Sequence, residues 1–201
     1  MNADRLMRGC QLPIHMSRIP YPCWGLKFSG PIVNSNELIE LMTESRKNSR
    51  WLLLSGPAAV SERQLWTAWL GLASRYASDT MRANSEDVEF IRLIAGTHQI
   101  RIGFERAGIA KGDEMAWLIH LPEFPTQSIQ EITWPNLDRH SLDQEAQRIM
   151  TVLSATLLPH LPMPHPDTVN RLELEIEDES IDDYNAIERS ALAHIALADY
   201  S

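Results

Sequence analysis

Cysteine is scarce in this chain, whose 201 residues contain only Cys10 and Cys23. Two cysteines cannot form the disulfide framework of a small secreted domain, and this pair lacks the C-x-x-C spacing of redox and zinc motifs. We therefore expect reduced thiols in an intracellular setting. A buried structural thiol is the favoured interpretation of each cysteine.

Long hydrophobic runs are also missing. No apolar stretch approaches the roughly 18 residues that suggest a transmembrane helix. Charges and prolines interrupt residues 1–22, which is not typical of a secretory signal. The hydrophobic content of 44% is nevertheless enough for a real core. The sequence predicts a soluble, cytoplasmic protein with one domain, residues 1–201, and no membrane association.

Basic residues are rare in the C-terminal part of the chain. Residues 121–201 contain 4 Lys or Arg and 15 Asp or Glu, whereas residues 1–120 contain 14 and 12. The net charge of −9 therefore comes from the C-terminal part alone. This balance argues against broad, phosphate-driven nucleic-acid binding but leaves room for a small basic site on the first part.

Recognisable catalytic and cofactor motifs are absent. The chain has no phosphate-binding G-x-x-x-x-G-K-[ST] or G-x-G-x-x-G loop, no G-x-S-x-G elbow and no H-E-x-x-H zinc motif. His160, His165 and Asp167 occur close together, but prolines hold this segment extended and favour a solvated loop. We predict no catalytic residues, no metal and no cofactor.

Local patterns predict an α+β fold in which a small central sheet, with antiparallel N-terminal strands, is flanked by helices. The segment Ser85–Leu121 is typical of a strand, a helix and a second strand, in the manner of a βαβ unit. Residues 122–183 form a longer, acidic, Pro-rich excursion, after which a C-terminal helix, 184–200, returns to the body. The predicted strands are Arg8–Leu12, Cys23–Phe28, Val88–Ile94, Met115–Leu121 and, as a short strand or acidic edge, Leu172–Ile176. The predicted helices begin at Asn36, after the capping box Ser61-Glu62-Arg63-Gln64, at Thr97 and at Ser141. The helix from Thr97 is predicted to end at Gly108 as a left-handed C-cap. The helix from Ser141 is predicted to end near Leu157.

Two helices carry apolar stripes that suit either the protein's own core or a helix-on-helix contact with a partner. In the closing helix the stripe comprises Ile187, Ala191 and Ile195, with Leu192 beside it. The other stripe includes Trp66 and Trp69. Basic residues around the Ser85–Leu121 segment likewise suit either solvated charge or an RNA contact; they are Arg92, Arg101, Arg106 and Lys111.

Several of these motifs, in their shared order, resemble the kinase-binding regulatory subunit of the KEOPS (EKC) complex, the PRPK-binding-protein-like family, in its archaeal type. The resemblance covers residues 8–121 and 184–200. Its motifs are Gly25-Leu26-Lys27-Phe28, Asn84-Ser85, Ala95-Gly96-Thr97-His98-Gln99-Ile100, Phe104, Gly108-Ile109, Gly112-Asp113 and Ala186-Ile187-Glu188-Arg189 with Ile195-Ala196-Leu197.

The resemblance implies a non-catalytic subunit that binds and regulates the amino-terminal lobe of the atypical kinase/ATPase subunit. It also implies help in recruiting the 3′ CCA end of tRNA for threonylcarbamoylation of adenosine 37. Many relatives have Arg at the position of His98 and a basic residue near Leu93. The expected partner-binding residues are Ile187, Ala191, Leu192, Ile195, Trp66 and Trp69, and the expected RNA-binding residues are Arg92, His98, Arg101 and Lys111.

Two other function classes compete with this hypothesis. One is a small hydrolase or transferase whose site would combine Cys23, a histidine and the carboxylates after Asp138. The other is a protein-only adaptor that would use its acidic C-terminal third against a basic partner. Converging titratable groups in a pocket would favour the enzyme, whereas exposed apolar helix surface would favour a binding subunit.

Overall fold

The fold is mixed α+β, as the sequence predicts. The computed structural model describes residues 19–124, 135–177 and 183–200. A single turn of 3₁₀ helix, Gly56–Ala58, follows the second strand. In chain order the strands and helices are β1 (Cys23–Lys27), α1 (Ser35–Ser45), β2 (Trp51–Ser55), α2 (Glu62–Ala77), α3 (Glu86–Ile94), α4 (Ile100–Ala107), β3 (Met115–His120), α5 (Arg139–Val152), β4 (Thr156–Leu158), α6 (Thr168–Leu172) and α7 (Tyr184–Leu197).

The strands of the described residues form one antiparallel sheet in the order β2-β3-β1-β4. Strand β3 lies between β2 and β1, with Trp117 opposite Leu54 on one side and Ile119 opposite Cys23 on the other. The structure confirms β1. The predicted strand Arg8–Leu12 lies outside the described residues, so its pairing stays a prediction.

A separate hydrophobic core covers each face of the sheet, because successive side chains of a strand point to opposite faces. Leu54 and Trp117 belong to the core that includes α2, α3 and α7. Leu53 and Leu118 belong to the opposite core, which includes α1 and α5. Helix α7 therefore packs on the core beside α2 and α3.

Residues 86–94 form helix α3 rather than the predicted strand Val88–Ile94. Helix α3 packs among α2, α4 and α7, and its side chains from Glu89 to Ile94 are all buried. Its charged residues Glu89 and Arg92 are buried together with the apolar ones, so the helix lacks the solvated polar face that marks a surface helix. Over so few residues, periodicity does not distinguish such a helix from a strand. The predicted βαβ unit is therefore wrong, since three helices join the antiparallel strands β2 and β3.

Of the two alternatives predicted for Leu172–Ile176, a short strand or an acidic edge, the strand is wrong. Leu172 ends α6, and Glu173 adopts the left-handed backbone conformation with φ +52°. A left-handed residue interrupts both helix and strand geometry. Glu173 and Glu175 remain exposed beside the buried Leu174, so the segment forms an acidic edge without strand pairing among the described residues.

Helix boundaries follow the capping groups. Ser61 Oγ accepts a hydrogen bond from Gln64 N at 3.0 Å, which confirms the predicted cap of α2. Helix α1 is capped by Asn34 rather than Asn36, because Asn34 Oδ1 receives the first free amides. The N-cap of α4 is Gln99 rather than Thr97. Helix α5 ends at Val152 instead of near Leu157, and β4 occupies the residues that follow.

The two glycines flanking α4 serve different purposes. Gly96 has φ +61°, which fits the sharp turn predicted there. Gly108 was predicted as a left-handed C-cap, but its backbone is extended, with φ −73° and ψ 164°. A Cβ atom at Gly108 would lie 2.6 Å from Phe104 O, so close backbone approach explains this glycine. None of the helices in the described part of the chain has the length and apolarity needed to cross a membrane.

Candidate partner and nucleic-acid interfaces

Helix α7 has an inner face in the core and an outer face toward solvent. Ile187, Ala191 and Ile195 are at most 4% exposed and pack into the core shared with α2 and α3. These three predicted partner-binding residues are therefore core residues, which is a correction to their predicted role. The outer face comprises the half-buried Leu192 with the exposed residues Ala193, Ala196 and Leu197, and Tyr200 follows just beyond the helix.

The tryptophans of α2 are structural rather than free anchors. Trp69 is fully buried, and its indole N–H donates to Pro122 O at 3.0 Å. Trp66 is partly buried, lies edge-on to Tyr21 with ring centroids 4.8 Å apart, and donates its indole N–H to Ile19 O. Both side chains thus hold neighbouring segments of this chain against α2. Their predicted role as partner anchors is not supported by this placement.

Arg92 is buried completely and cannot contact RNA in this structure, contrary to the prediction. Its guanidinium forms a two-point ion pair with the buried Glu89, at 2.5 and 3.1 Å. Its Nη1 also donates to Thr97 O at 2.8 Å and to Ala198 O at 3.1 Å. Arg92 therefore links α3, the turn before α4 and the end of α7.

Asp199 extends this ion-pair network to α2. Asp199 Oδ2 lies 2.6 Å from Arg75 Nη2, and its Oδ1 lies 3.1 Å from Arg92 Nη2. Burial raises the pKa of Asp199, but the hydrogen bond and charge of Arg75, helped by Arg92, outweigh burial and hold this pKa below its ordinary value. The carboxylate is thereby kept charged where it anchors the end of α7.

The turn between α3 and α4, residues Ala95–Gln99, lies directly under α7. A Cβ atom at Gly96 would lie 2.4 Å from Cγ of His194, so only glycine permits this contact. Burial lowers the pKa of His194, and the charge of Arg106 lowers it further, while Glu175 and Glu173 oppose both effects. The imidazole therefore favours its neutral form against the turn.

Three of the four predicted RNA-binding residues remain at the surface around α4. His98, Arg101 and Lys111 are exposed. Arg101 lies 2.5 Å from Glu105 one turn along the helix, with both side chains mostly in solvent. Such an exposed pair contributes little stability, about 0–1 kcal/mol, so Arg101 can exchange this partner for a phosphate at low cost.

Apolar side chains lie beside these cations. Ile100 and Phe104 are each about two-fifths exposed on α4. Phe104 also borders a cavity of about 120 Å³, which we name the α1–α4 groove. Its lining residues are Ile39, Met42, Thr43, Arg46, Leu52, Leu53, Asp87, Ile91, Phe104, Gly108 and Ile109.

A cavity of about 540 Å³ is bordered by Lys27 of β1, Met115 of β3 and Leu158 of β4. His160 and His165 border it, as does Asp167. His160 Nδ1 lies 3.0 Å from Leu161 O, and His165 Nδ1 accepts the amide of Asp167 at 3.1 Å. Within the described residues no three His, Cys, Asp or Glu side chains converge on a point suitable for a metal ion.

Cys23 is poorly suited to nucleophilic catalysis. Burial raises the pKa of its thiol to about 12, with Glu62 raising it and Arg139 lowering it. A thiol with this pKa carries almost no thiolate at neutral pH. Among the described carboxylates of this region, Asp138 caps α5 and Asp143 accepts the indole N–H of Trp24 at 2.8 Å. Neither of these two described carboxylates supports the rival Cys23-based site.

Sequence periodicity found the stripe of α7, but three of the four α7 residues predicted to bind a partner face the core. A stripe with residues three or four positions apart can face either the core or a partner. The solvent-facing side of α7 carries small residues between Leu192 and Leu197. The exposure of Phe104 follows from the packing of α4.

Neither the protein-family models nor the curated proteins compared with this chain include a match to it.

Proposed function

We propose that this chain is a non-catalytic, cytoplasmic subunit of a KEOPS-type tRNA-threonylcarbamoylation complex. It binds the amino-terminal lobe of the atypical kinase/ATPase subunit and helps recruit the 3′ end of tRNA. The family resemblance of its motifs motivates the proposal. The observation that carries it is the outer face of α7, an exposed apolar surface on a helix whose inner face is already fixed in the core.

The kinase-facing surface consists of Leu192, Ala193, Ala196, Leu197 and Tyr200. Leu197 is 53% exposed and Tyr200 is 88% exposed. Small residues between large apolar ones allow a second helix to approach closely, and tyrosine is enriched among residues that dominate interface energies. Because α7 is held by its buried side, it presents this surface without having to fold on binding. Little ordering entropy opposes association.

The partner interface is tested by measuring affinity for the purified kinase subunit by calorimetry. Leu197→Asp places a charge in an apolar contact, so we expect affinity at least tenfold weaker; Tyr200→Ala is expected to weaken it similarly. Leu161→Asp is the matched control, because Leu161 is 59% exposed in the loop after β4. Unchanged affinity in both α7 variants would remove this assignment.

The RNA-facing surface consists of α4 and the α1–α4 groove. Phe104 offers a face on which a base can stack, and the groove offers an apolar space beside it. Arg101 and Lys111 supply positive charge for the backbone phosphates. The negative charge of residues 121–201 disfavours RNA elsewhere, so binding is confined to a short single-stranded end.

Binding of intact tRNA is compared with binding of tRNA that lacks its CCA end, and we expect the truncated tRNA to bind more weakly. Phe104→Ala removes a stacking contact worth about 1–3 kcal/mol per base. Leu157→Ala is the control, since Leu157 is exposed on β4, at the end of the sheet opposite β2. Arg101→Gln and Lys111→Gln should each make tRNA affinity less dependent on salt concentration, by the equivalent of about one phosphate contact. Equal affinity for the two tRNAs excludes recognition of the CCA end.

A further inference from the structure

We propose that docking of α7 sets the conformation of the turn between α3 and α4, so that a partner bound on the outer face of α7 strengthens RNA binding at α4. The coupling between the two surfaces rests on the proposed function, whereas the link between α7 and the turn does not. The movable element is α7 itself, which has a docked and an undocked state.

Helix α7 depends on tertiary contacts for its existence. It has 14 residues, and an isolated helix of that length is marginal in water. Its docked state buries Ile187, Ala191 and Ile195 in the core. Ion pairs from Arg63 to Glu188 and from Arg75 to Asp199 join it to α2 near both ends. These contacts form or break together when the helix docks or undocks.

The turn shares its supporting contacts with α7. Nη1 of Arg92 donates to a carbonyl of the turn, Thr97 O, and to a carbonyl that ends α7, Ala198 O. The imidazole of His194 covers Gly96, whose own amide donates to Leu93 O at 3.1 Å. Undocking of α7 removes the Ala198 carbonyl and the His194 imidazole together, and it exposes the turn to water.

The turn leads directly into the RNA-facing helix. Thr97 Oγ1 accepts the amide of Gln99, the N-cap residue of α4, at 3.2 Å. His98 and Arg101 therefore keep their positions only while the turn keeps its shape. A kinase that contacts the outer face of α7 binds the docked state preferentially. The docked population rises, and with it the affinity for RNA; by linkage, RNA strengthens kinase binding by the same factor.

The first experiment uses this chain alone and measures amide hydrogen exchange. In increasing low concentrations of urea, the amides of Gly96 and Thr97 should open with the same free energy as those of α7, as one cooperative unit. The amides of Leu118 and Ile119 in the central strand should open only with global unfolding. A turn that opens independently of α7 would contradict the proposal.

Variants test the same link from the side of α7. Ile195→Asp places a charge on the buried face and should raise exchange at Gly96 and Thr97 at least tenfold, while Leu118 stays protected. Arg92→Lys keeps the charge but lacks the planar fork that bridges two carbonyls, and should give a smaller increase. If α7 is undocked in the Ile195→Asp chain but the amides of the turn still exchange at the wild-type rate, the proposal is overturned. If that variant does not fold, the urea series on the wild-type chain decides.

The second experiment measures RNA affinity with and without saturating kinase subunit. In an Ile195→Ala chain, whose smaller side chain weakens docking and populates the undocked state, we expect at least fivefold tighter RNA binding with the kinase present. The wild-type chain, whose α7 is already docked, should show a smaller gain. Kinase binding without any change in RNA affinity overturns the coupling and leaves the proposed function intact. Absence of kinase binding overturns the proposed function, whereas the exchange result on the chain alone stands by itself.

Discussion

The imidazole of His194 lies against Gly96 so closely that a Cβ atom there would be 2.4 Å from His194 Cγ. This contact joins the two parts of the chain that carry the family resemblance, the turn after α3 and the closing helix. Residues almost a hundred positions apart in sequence thus form one structural unit. The glycine is required both for its positive φ and for the space it leaves.

Gly96→Ala should lower the free energy of unfolding by about 2–4 kcal/mol. Positive φ in a residue other than glycine costs about 1–3 kcal/mol, and the clash with His194 adds to it. Urea denaturation measures the change. Gly112→Ala is the matched control, because Gly112 has φ +95° but open space around its Cα. Equal losses in the two variants would show that the contact with His194 has no energetic weight.

Arg92→Met should destabilise the protein by about 3 kcal/mol, since it removes the nearer of two arginine partners of the buried carboxylate of Glu89 and leaves only Arg75, at 3.7 Å. The double variant Arg92→Met with Glu89→Gln should recover part of this loss, because the remaining group is neutral. Urea denaturation of both variants and of the parent gives the comparison. A loss below about 1 kcal/mol for Arg92→Met would contradict the structural role assigned to this residue.

Acidic pH should destabilise the fold through His120. Burial, together with the charge of Arg50, lowers the pKa of His120 to about 4, from an ordinary value of 6.5. Because the folded pKa lies below the unfolded one, the fold prefers neutral imidazole. The associated stability is complete above pH 6.5 and is lost as the pH falls toward 4, amounting to at most about 3 kcal/mol.

His120→Gln should flatten that part of the pH profile, since glutamine carries no titrating proton. Unfolding free energies measured between pH 4 and 7 for the variant and the parent test this directly. The exposed His140 is the matched position for a control substitution. If the His120→Gln variant and the parent lose stability equally as the pH falls, the acid sensitivity belongs to other groups.

The thiol of Cys23 should be almost unreactive in the folded protein. A pKa of about 12 leaves a negligible thiolate fraction at neutral pH, and the side chain is buried. In a Cys10→Ser chain, labelling with a disulfide reagent should be at least a hundredfold slower before unfolding than in urea. Rapid labelling of the folded chain would reopen the hypothesis of a cysteine nucleophile.

Sequence patterns predicted the elements whose signals are local. The cap formed by Ser61 and the strand at Cys23 depend on residues within a few positions, and both are present. Helix α3 resembles a strand in sequence because its charged residues Glu89 and Arg92 are buried together with its apolar ones. The role of Arg92 was equally inaccessible, since an arginine in a short segment looks the same whether it faces RNA or a buried glutamate.

The sequence by itself determined the α+β class, the acidic C-terminal part and the apolar stripe of α7, because composition and spacing along the chain are sufficient for these. Tertiary structure alone decided which side of each stripe is available to a partner. That choice depends on packing between segments distant in sequence. It buries Ile195 and exposes Leu197 on the same helix, and it places Arg92 in the core while leaving Arg101 in solvent.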